Sequence, residues 1–239
     1  MTDQLPAPAH PPVLLACSHG TSSVAGQQSI AALVDVVAQR RPDVQVAAAF
    51  VDVQAPDVPS SLDALGMSPV RVVPLLLSAG YHVHVDLAEA VEGREHAQVT
   101  GALGPDSRLV RLLVRRLRDA GLAEDDEVVL AAAGSSNADA VADCLQVGDE
   151  LGAALGRRVT TAFLSAARPR LPDGVAQARR RLTSGRGRVV VATYLLAPGY
   201  FADLAAACGA DVVTPPLLVE TEPPARELVD VVLDRYGEG

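Results

Sequence analysis

The chain contains the same half twice, and this repeat is what most limits the folds open to it. The first copy reads VLLACSHGTSS, QVAAAFVDVQAP, RVVPLLLSAGYHVHVDLAEA and AQVTGALGPDSRLVRLLVRRL in order. The second reads VVLAAAGSSNA, RVTTAFLSAARP, RVVVATYLLAPGYFADLAAA and ADVVTPPLLVETEPPARELVDVVL. Aligned on their apolar runs, the copies put His19 opposite Gly134 and His82 opposite Phe201. Histidines therefore stand at the repeated positions of the first copy only, and one working site is expected where the repeat would allow two.

Within each copy, short apolar runs alternate with helical periodicity. Strands are predicted at 13–17, 45–51, 70–77 and 98–103, then near 128–133, 159–164, 188–196 and 211–214. Ile30, Leu33, Val34 and Val37 recur at the i, i+3, i+4, i+7 spacing of an amphipathic helix, as do Leu109, Leu112, Leu113 and Leu117. Further helices are predicted at 85–92, 137–154 and 224–236. The run VRVVPLLL is apolar throughout, as in a parallel strand covered on both faces. Strands alternating with helices predict an α/β fold: two tandem similar domains, each a small parallel β-sheet flanked by helices. The acidic stretch 121–127 has no apolar periodicity and marks the boundary. The expected organisation is a proline-rich leader at 1–12, a first domain at 13–122 and a second at 123–239.

Composition removes several function classes. Net charge is −9 and aromatics are 3%, which argues against a nucleic-acid binder with basic stripes and stacking platforms. All 20 basic residues are Arg, so Schiff-base and P-loop lysine chemistry is excluded. Cys17, Cys144 and Cys208 are far apart and form no CxxC, so neither a disulfide framework nor a zinc finger is expected. No apolar run approaches the roughly 20 residues that span a bilayer, and residues 1–12 lack the regions of a signal peptide. A cytoplasmic protein without nucleic-acid or membrane partners is expected.

The candidate chemistry gathers at strand ends, where parallel α/β sheets bind ligands. His19 follows the first strand in Ser18-His19-Gly20-Thr21; alternatively the turn is structural, with Thr21 or Ser22 capping a helix. Gly80-Tyr81-His82-Val83-His84 follows the third strand, with Gly80 permitting a sharp turn. If that stretch is extended, His82 and His84 point to opposite sides and one of them shares a site with His19. Asp86 reads as a helix cap or as an orienter of an imidazole. Asp52, ending the second strand between apolar neighbours, is either a proton acceptor or metal ligand, or a loop cap.

These segments resemble the sirohydrochlorin chelatases, the class II cobalt- and iron-inserting enzymes of siroheme and cobalamin synthesis. The resemblance rests on the strand ending in SHGT, on AFVDVQAP against the family's Phe-Leu-Glu-like run before a proline, and on PLLLSAGYHVHVDL against Pro-Leu-apolar-apolar-x-x-Gly-x-His with a following Asp. It covers about residues 13–218. It implies a lyase-class metal chelatase that inserts a divalent ion, Fe2+ ahead of Co2+, into sirohydrochlorin, with no permanently bound cofactor. His19 and His82 match the family's metal-binding histidines. Asp52 stands where the family commonly has Glu, and it and His84 are the candidates to take up protons. Two neutral imidazoles suit a site that must release its metal, whereas a structural site would be closed by four ligands.

For the polycarboxylate macrocycle, Ser135, Ser136 and Asn137 are candidate hydrogen-bond donors. Arg168 and Arg170 are candidate carboxylate partners at the cleft, and Phe201 offers an apolar face. A second half with a purely structural role fits the sequence equally. Two other readings stay open: a non-enzymatic metal or tetrapyrrole carrier, and a histidine-phosphatase-like enzyme. The latter resemblance lacks the Arg that family places before its histidine, since Ser18 stands there.

Overall fold

The computed structural model describes residues 11–78, 81–182 and 185–238, with residues 81–84 described by their backbone alone. The first half runs β1 (Val13–Ser18), α1 (Val24–Arg40), β2 (Val46–Phe50), α2 (Val58–Leu65), β3 (Val70–Pro74), α3 (Tyr81–Val91), β4 (Ala97–Val99) and α4 (Ser107–Asp119). The second runs β5 (Glu127–Ala132), α5 (Ala138–Leu155), β6 (Val159–Phe163), α6 (Leu171–Arg181), β7 (Val189–Tyr194), α7 (Tyr200–Ala206), β8 (Val212–Val213) and α8 (Arg226–Gly237). Each half forms a four-stranded parallel sheet, ordered β2-β1-β3-β4 and β6-β5-β7-β8. In both, strand order reverses between the first and third strands, where a crevice opens at the carboxyl ends.

All six residues of β1 are buried because both faces of its sheet are covered. Its alternate residues go to different cores. Val13, Leu15 and Cys17 pack with Val58, Leu62 and Leu87 of α2 and α3. Leu14 and Ala16 belong to a larger cluster with Ile30, Leu33 and Val37 of α1. The second sheet repeats this. Val129 and Ala131 meet α6 and α7, and Val128, Leu130 and Ala132 meet Cys144, Val147 and Leu151 of α5.

The larger cluster is shared by both halves, and the closing helices are exchanged within it. The α4 helix, which ends the first half, packs on α5 and on β7 of the second sheet. The α8 helix, which ends the second half, packs on α1 and on β3 of the first sheet. Besides the separate clusters under α2 and α3 and under α6 and α7, the two halves thus share a joint core of α1, α4, α5 and α8 between the sheets. Polar bonds fasten the exchange. The Tyr236 hydroxyl donates to the Pro12 carbonyl at 2.6 Å, Arg71 donates to the Tyr236 carbonyl at 2.6 Å, and Arg235 donates to the Ala102 carbonyl at 2.7 Å.

Four helices differ from the sequence expectation. The α2 helix goes unpredicted although Asp57 caps it, Pro59 opens it and Gly66 ends it. Helices α6 and α7 are likewise additional. The α3 helix begins at Tyr81, so His82 and His84 lie in its first turn and not in an extended stretch. Asp86 is then an exposed residue inside the helix, not its cap. Gly80 and most of the expected leader fall outside the described residues, as do the side chains of His82 and His84. No helix among the described residues is long and apolar enough to cross a membrane. The three cysteines are buried and free.

Candidate functional site

The carboxyl ends of the two sheets enclose one cavity of about 530 Å³. Its walls come from equivalent loops of both halves: 18–22 and 132–135 after the first strands, 75–78 and 194–202 after the third. Leucines 75–77, 195 and 196 make the lining mainly apolar, and the Tyr194 hydroxyl donates to the Leu77 carbonyl at 2.9 Å across the halves. Burial raises the Tyr194 phenol well above its ordinary value and pushes the Cys144 thiol up to about 11. Both stay protonated and neutral beside the cavity at physiological pH.

His19 lines this cavity and is solvent-exposed. Its turn is built by close approach to the β2 exit. The Val51 and Asp52 N–H groups donate to the Ser18 and His19 carbonyls, each at 3.0 Å. Gly20 has φ +92°, and a Cβ there would collide with the Asp52 carbonyl oxygen, so glycine is required on both counts. Ser23, not Thr21 or Ser22, caps α1 by accepting from the Gly26 N–H.

The second half repeats this bracket. Leu164 and Ser165 donate to the Ala132 and Ala133 carbonyls at 2.9 and 2.8 Å, and Gly134 has φ +88° and abuts Ser165 as Gly20 abuts Asp52. The repeat is therefore in register with β1 against β5 from Val13 opposite Glu127. His19 corresponds to Ala133, and Gly20 to Gly134. The sequence alignment was off by one because the second copy opens its strand with a charged residue, Glu127, held by Arg181 at 2.8 Å. For the third strands the shared register Val70 opposite Val189 keeps His82 opposite Phe201.

The other candidates separate. Asp52 is exposed, and its carboxylate accepts from the Val53 N–H at 2.7 Å. It stands beside the His19 turn, while the neighbouring Val53 and Gln54 line the cavity. Ser135 and Phe201 line the cavity, but Ser136 and Asn137 do not. The Asn137 carboxamide caps α5 by accepting from the Asp139 N–H at 2.8 Å, and the Ser135 hydroxyl accepts from the Asn137 N–H at 3.0 Å. Arg168 and Arg170 also lie outside the lining. Arg170 donates to the Leu164 carbonyl of its own loop at 3.0 Å, whereas Arg168 is exposed.

Tyr200 lines the site beside Phe201, within the apolar Pro198-Gly199-Tyr200-Phe201 segment. Gln54 lines it as well and was not singled out, since nothing within the AFVDVQAP run suggests its contact. Among the described residues no three His, Cys, Asp or Glu side chains gather around one point.

A family model described as CbiX matches residues 13–120 and 127–206. The chain is 29% identical over 200 residues to a sirohydrochlorin ferrochelatase of Priestia megaterium, covering 78% of this chain and 73% of that protein. It resembles SirB from Bacillus subtilis with Fe3+ at a TM-score of 0.77 and 20% identity, over 95% of this chain and 94% of that one. A second SirB structure, from Bacillus subtilis subspecies spizizenii in complex with cobalt, gives a TM-score of 0.71 and 19% identity over the same shares. At these identities the two structures show a common fold.

Proposed function

The chain belongs to the CbiX family of sirohydrochlorin chelatases, and from that premise we propose that it inserts a divalent metal, Fe2+ ahead of Co2+, into sirohydrochlorin in the cytoplasm. The observation that carries this reading is the imidazole-bearing turn at His19 on a mainly apolar cavity, where the second copy bears Ala133 instead. The ferrochelatase relative supports iron, and the metal is a substrate, not a resident cofactor.

In this reading His19 and His82 hold the incoming ion through neutral imidazole nitrogens. Two such ligands bind Fe2+ or Co2+ without closing its coordination shell, so the ion remains transferable. The leucine-lined walls hold the macrocycle, and Phe201 presents an apolar ring where a second ligand would otherwise stand. The Ser135 hydroxyl, already accepting one N–H, remains free to donate to a carboxylate. Exposed Arg168 offers a charged partner to carboxylates that extend beyond the cavity. The two pyrrole protons released on insertion go to Asp52, whose carboxylate is exposed beside the His19 turn, or to His84.

Absorbance of sirohydrochlorin mixed anaerobically with the protein and Fe2+ or Co2+ tests the reading. Multiple-turnover metallation is expected, with loss of about 100-fold or more in His19→Ala if the imidazole is a direct ligand. Tight macrocycle binding with no acceleration over the spontaneous reaction would make the protein a carrier.

A further inference from the structure

The His19 turn contains a clamp that its repeat lacks. The Thr21 N–H donates to the Gln54 Oε1 at 2.9 Å, and the Thr21 carbonyl accepts from the Gln27 Nε2 at 2.8 Å. Gln54 belongs to the β2 exit and Gln27 to the first turn of α1, a helix anchored in the core through Ile30, Leu33 and Val37. Both backbone polar groups of Thr21 are thus held by side chains from two different elements. His19 is pinned separately, through its carbonyl and the Asp52 N–H.

Between these fixed points lies Gly20, the residue type with the freest backbone. A ligand beside a glycine keeps its direction only if the chain is held on both sides. The second half shows what the turn needs without that demand. The glycine and the strand-exit bracket persist, but the positions of Gln54 and Gln27 hold Ala167 and Val141, whose side chains have no polar atom to offer, and the turn is held instead by the Ser165 hydroxyl donating to the Ala133 carbonyl at 2.9 Å. The same backbone turn thus forms without the amides, so their presence beside the histidine calls for a reason other than folding.

We propose that Gln54 and Gln27 are positioning residues for metal binding: they fix Thr21 and thereby aim the His19 imidazole at the ion. The inference rests on His19 being a metal ligand. Outer partners that orient a ligating side chain typically contribute 10–100-fold in metal affinity, and that is the size of effect expected here.

The test is titration of the full-length protein with Co2+ alone, followed by visible absorption and calorimetry, with sirohydrochlorin affinity measured separately. Gln54→Ala and Gln27→Ala should each weaken Co2+ binding about 10–100-fold while the melting temperature stays close to wild type, and Gln27→Ala, outside the cavity lining, should also leave macrocycle affinity unchanged. A charge-matched pair separates geometry from electrostatics. Gln54→Glu keeps an oxygen that accepts the Thr21 N–H and should retain Co2+ affinity. Gln27→Glu loses the donor to the Thr21 carbonyl and should behave like Gln27→Ala.

Unchanged Co2+ affinity in folded Gln54→Ala, or equal effects of the two Glu variants, would overturn the proposal. If Gln54→Ala fails to fold, the Gln27 pair decides alone, and no difference between Gln27→Ala and wild type overturns it. The underlying reading fails differently: His19→Ala would then bind Co2+ as tightly as wild type.

Discussion

In the loop 18–23, Gly20 bends the chain against the Asp52 carbonyl, and in the loop 132–137, Gly134 bends it against the Ser165 carbonyl. Both receive two backbone hydrogen bonds from the exit of the neighbouring strand, and both lead into the capped start of a long helix. They differ in what they carry. One holds an imidazole and two glutamine contacts; the other holds Ala133, Ala167 and Val141. Backbone closure belongs to the fold and persists in both copies, while the imidazole and the two glutamine contacts stand in one copy alone.

Replacing both glycines gives the largest effect and separates the two loops. Gly20→Ala and Gly134→Ala each place a methyl group against a carbonyl at positive φ. Each should cost roughly 2–4 kcal/mol from backbone strain and overpacking, read as a lowered denaturant midpoint. Only Gly20→Ala should also impair Co2+ binding. Equal loss in both variants would show that the loops share a functional role.

A smaller effect lies at the opposite ends of the sheets. There the second half uses a buried Asp126 that accepts from Arg188 at 2.7 Å and from the Ala123 and Arg188 N–H groups, where the first half has Pro12 and Pro69. Burial alone would raise the Asp126 carboxyl, but these bonds hold it below the usual carboxylate range. Its contribution is therefore fully present above the unfolded value of about 4 and is lost as pH falls through the lower folded value. Asp126→Asn should cost about 1–3 kcal/mol at neutral pH. Melting curves of variant and wild type should converge in strong acid; a constant gap would sink the assignment.

The smallest effect runs the other way. Val53 and Ala166, equivalent residues after β2 and β6, have φ of 65° and 50°. Glycine there should stabilise each loop by about 0.5–1 kcal/mol in thermal unfolding. Because Val53 lines the cavity and Ala166 does not, only Val53→Gly should also weaken macrocycle binding.

Much of the fold was legible because both periods were clean. The β1 run and the faces of α1 and α4 lie where their apolar spacing put them. His19 and Phe201 were legible as cavity residues because strand ends in parallel sheets converge on one crevice. The failures have particular causes. The alternation in Tyr-His-Val-His left an extended stretch open ahead of the helix predicted at 85–92, yet α3 already begins at Tyr81. Glu127 opens a buried strand only because Arg181 neutralises it, so apolar matching shifted the repeat by one. The Gln54 contact joins residues 33 apart in sequence, beyond any local pattern.

The exchange of α4 and α8 was illegible for a different reason. An amphipathic stripe states that a helix must cover something, not which sheet it covers. That exchange also means that the two halves are interlocked rather than strung together. Cut at the 121–127 linker, the first half would keep a leucine-faced helix with nothing beneath it and a sheet missing one of its covers, and the second half would be left in the mirror predicament. The duplication therefore yields two copies around one shared core, neither of which can shed the other without uncovering its own sheet.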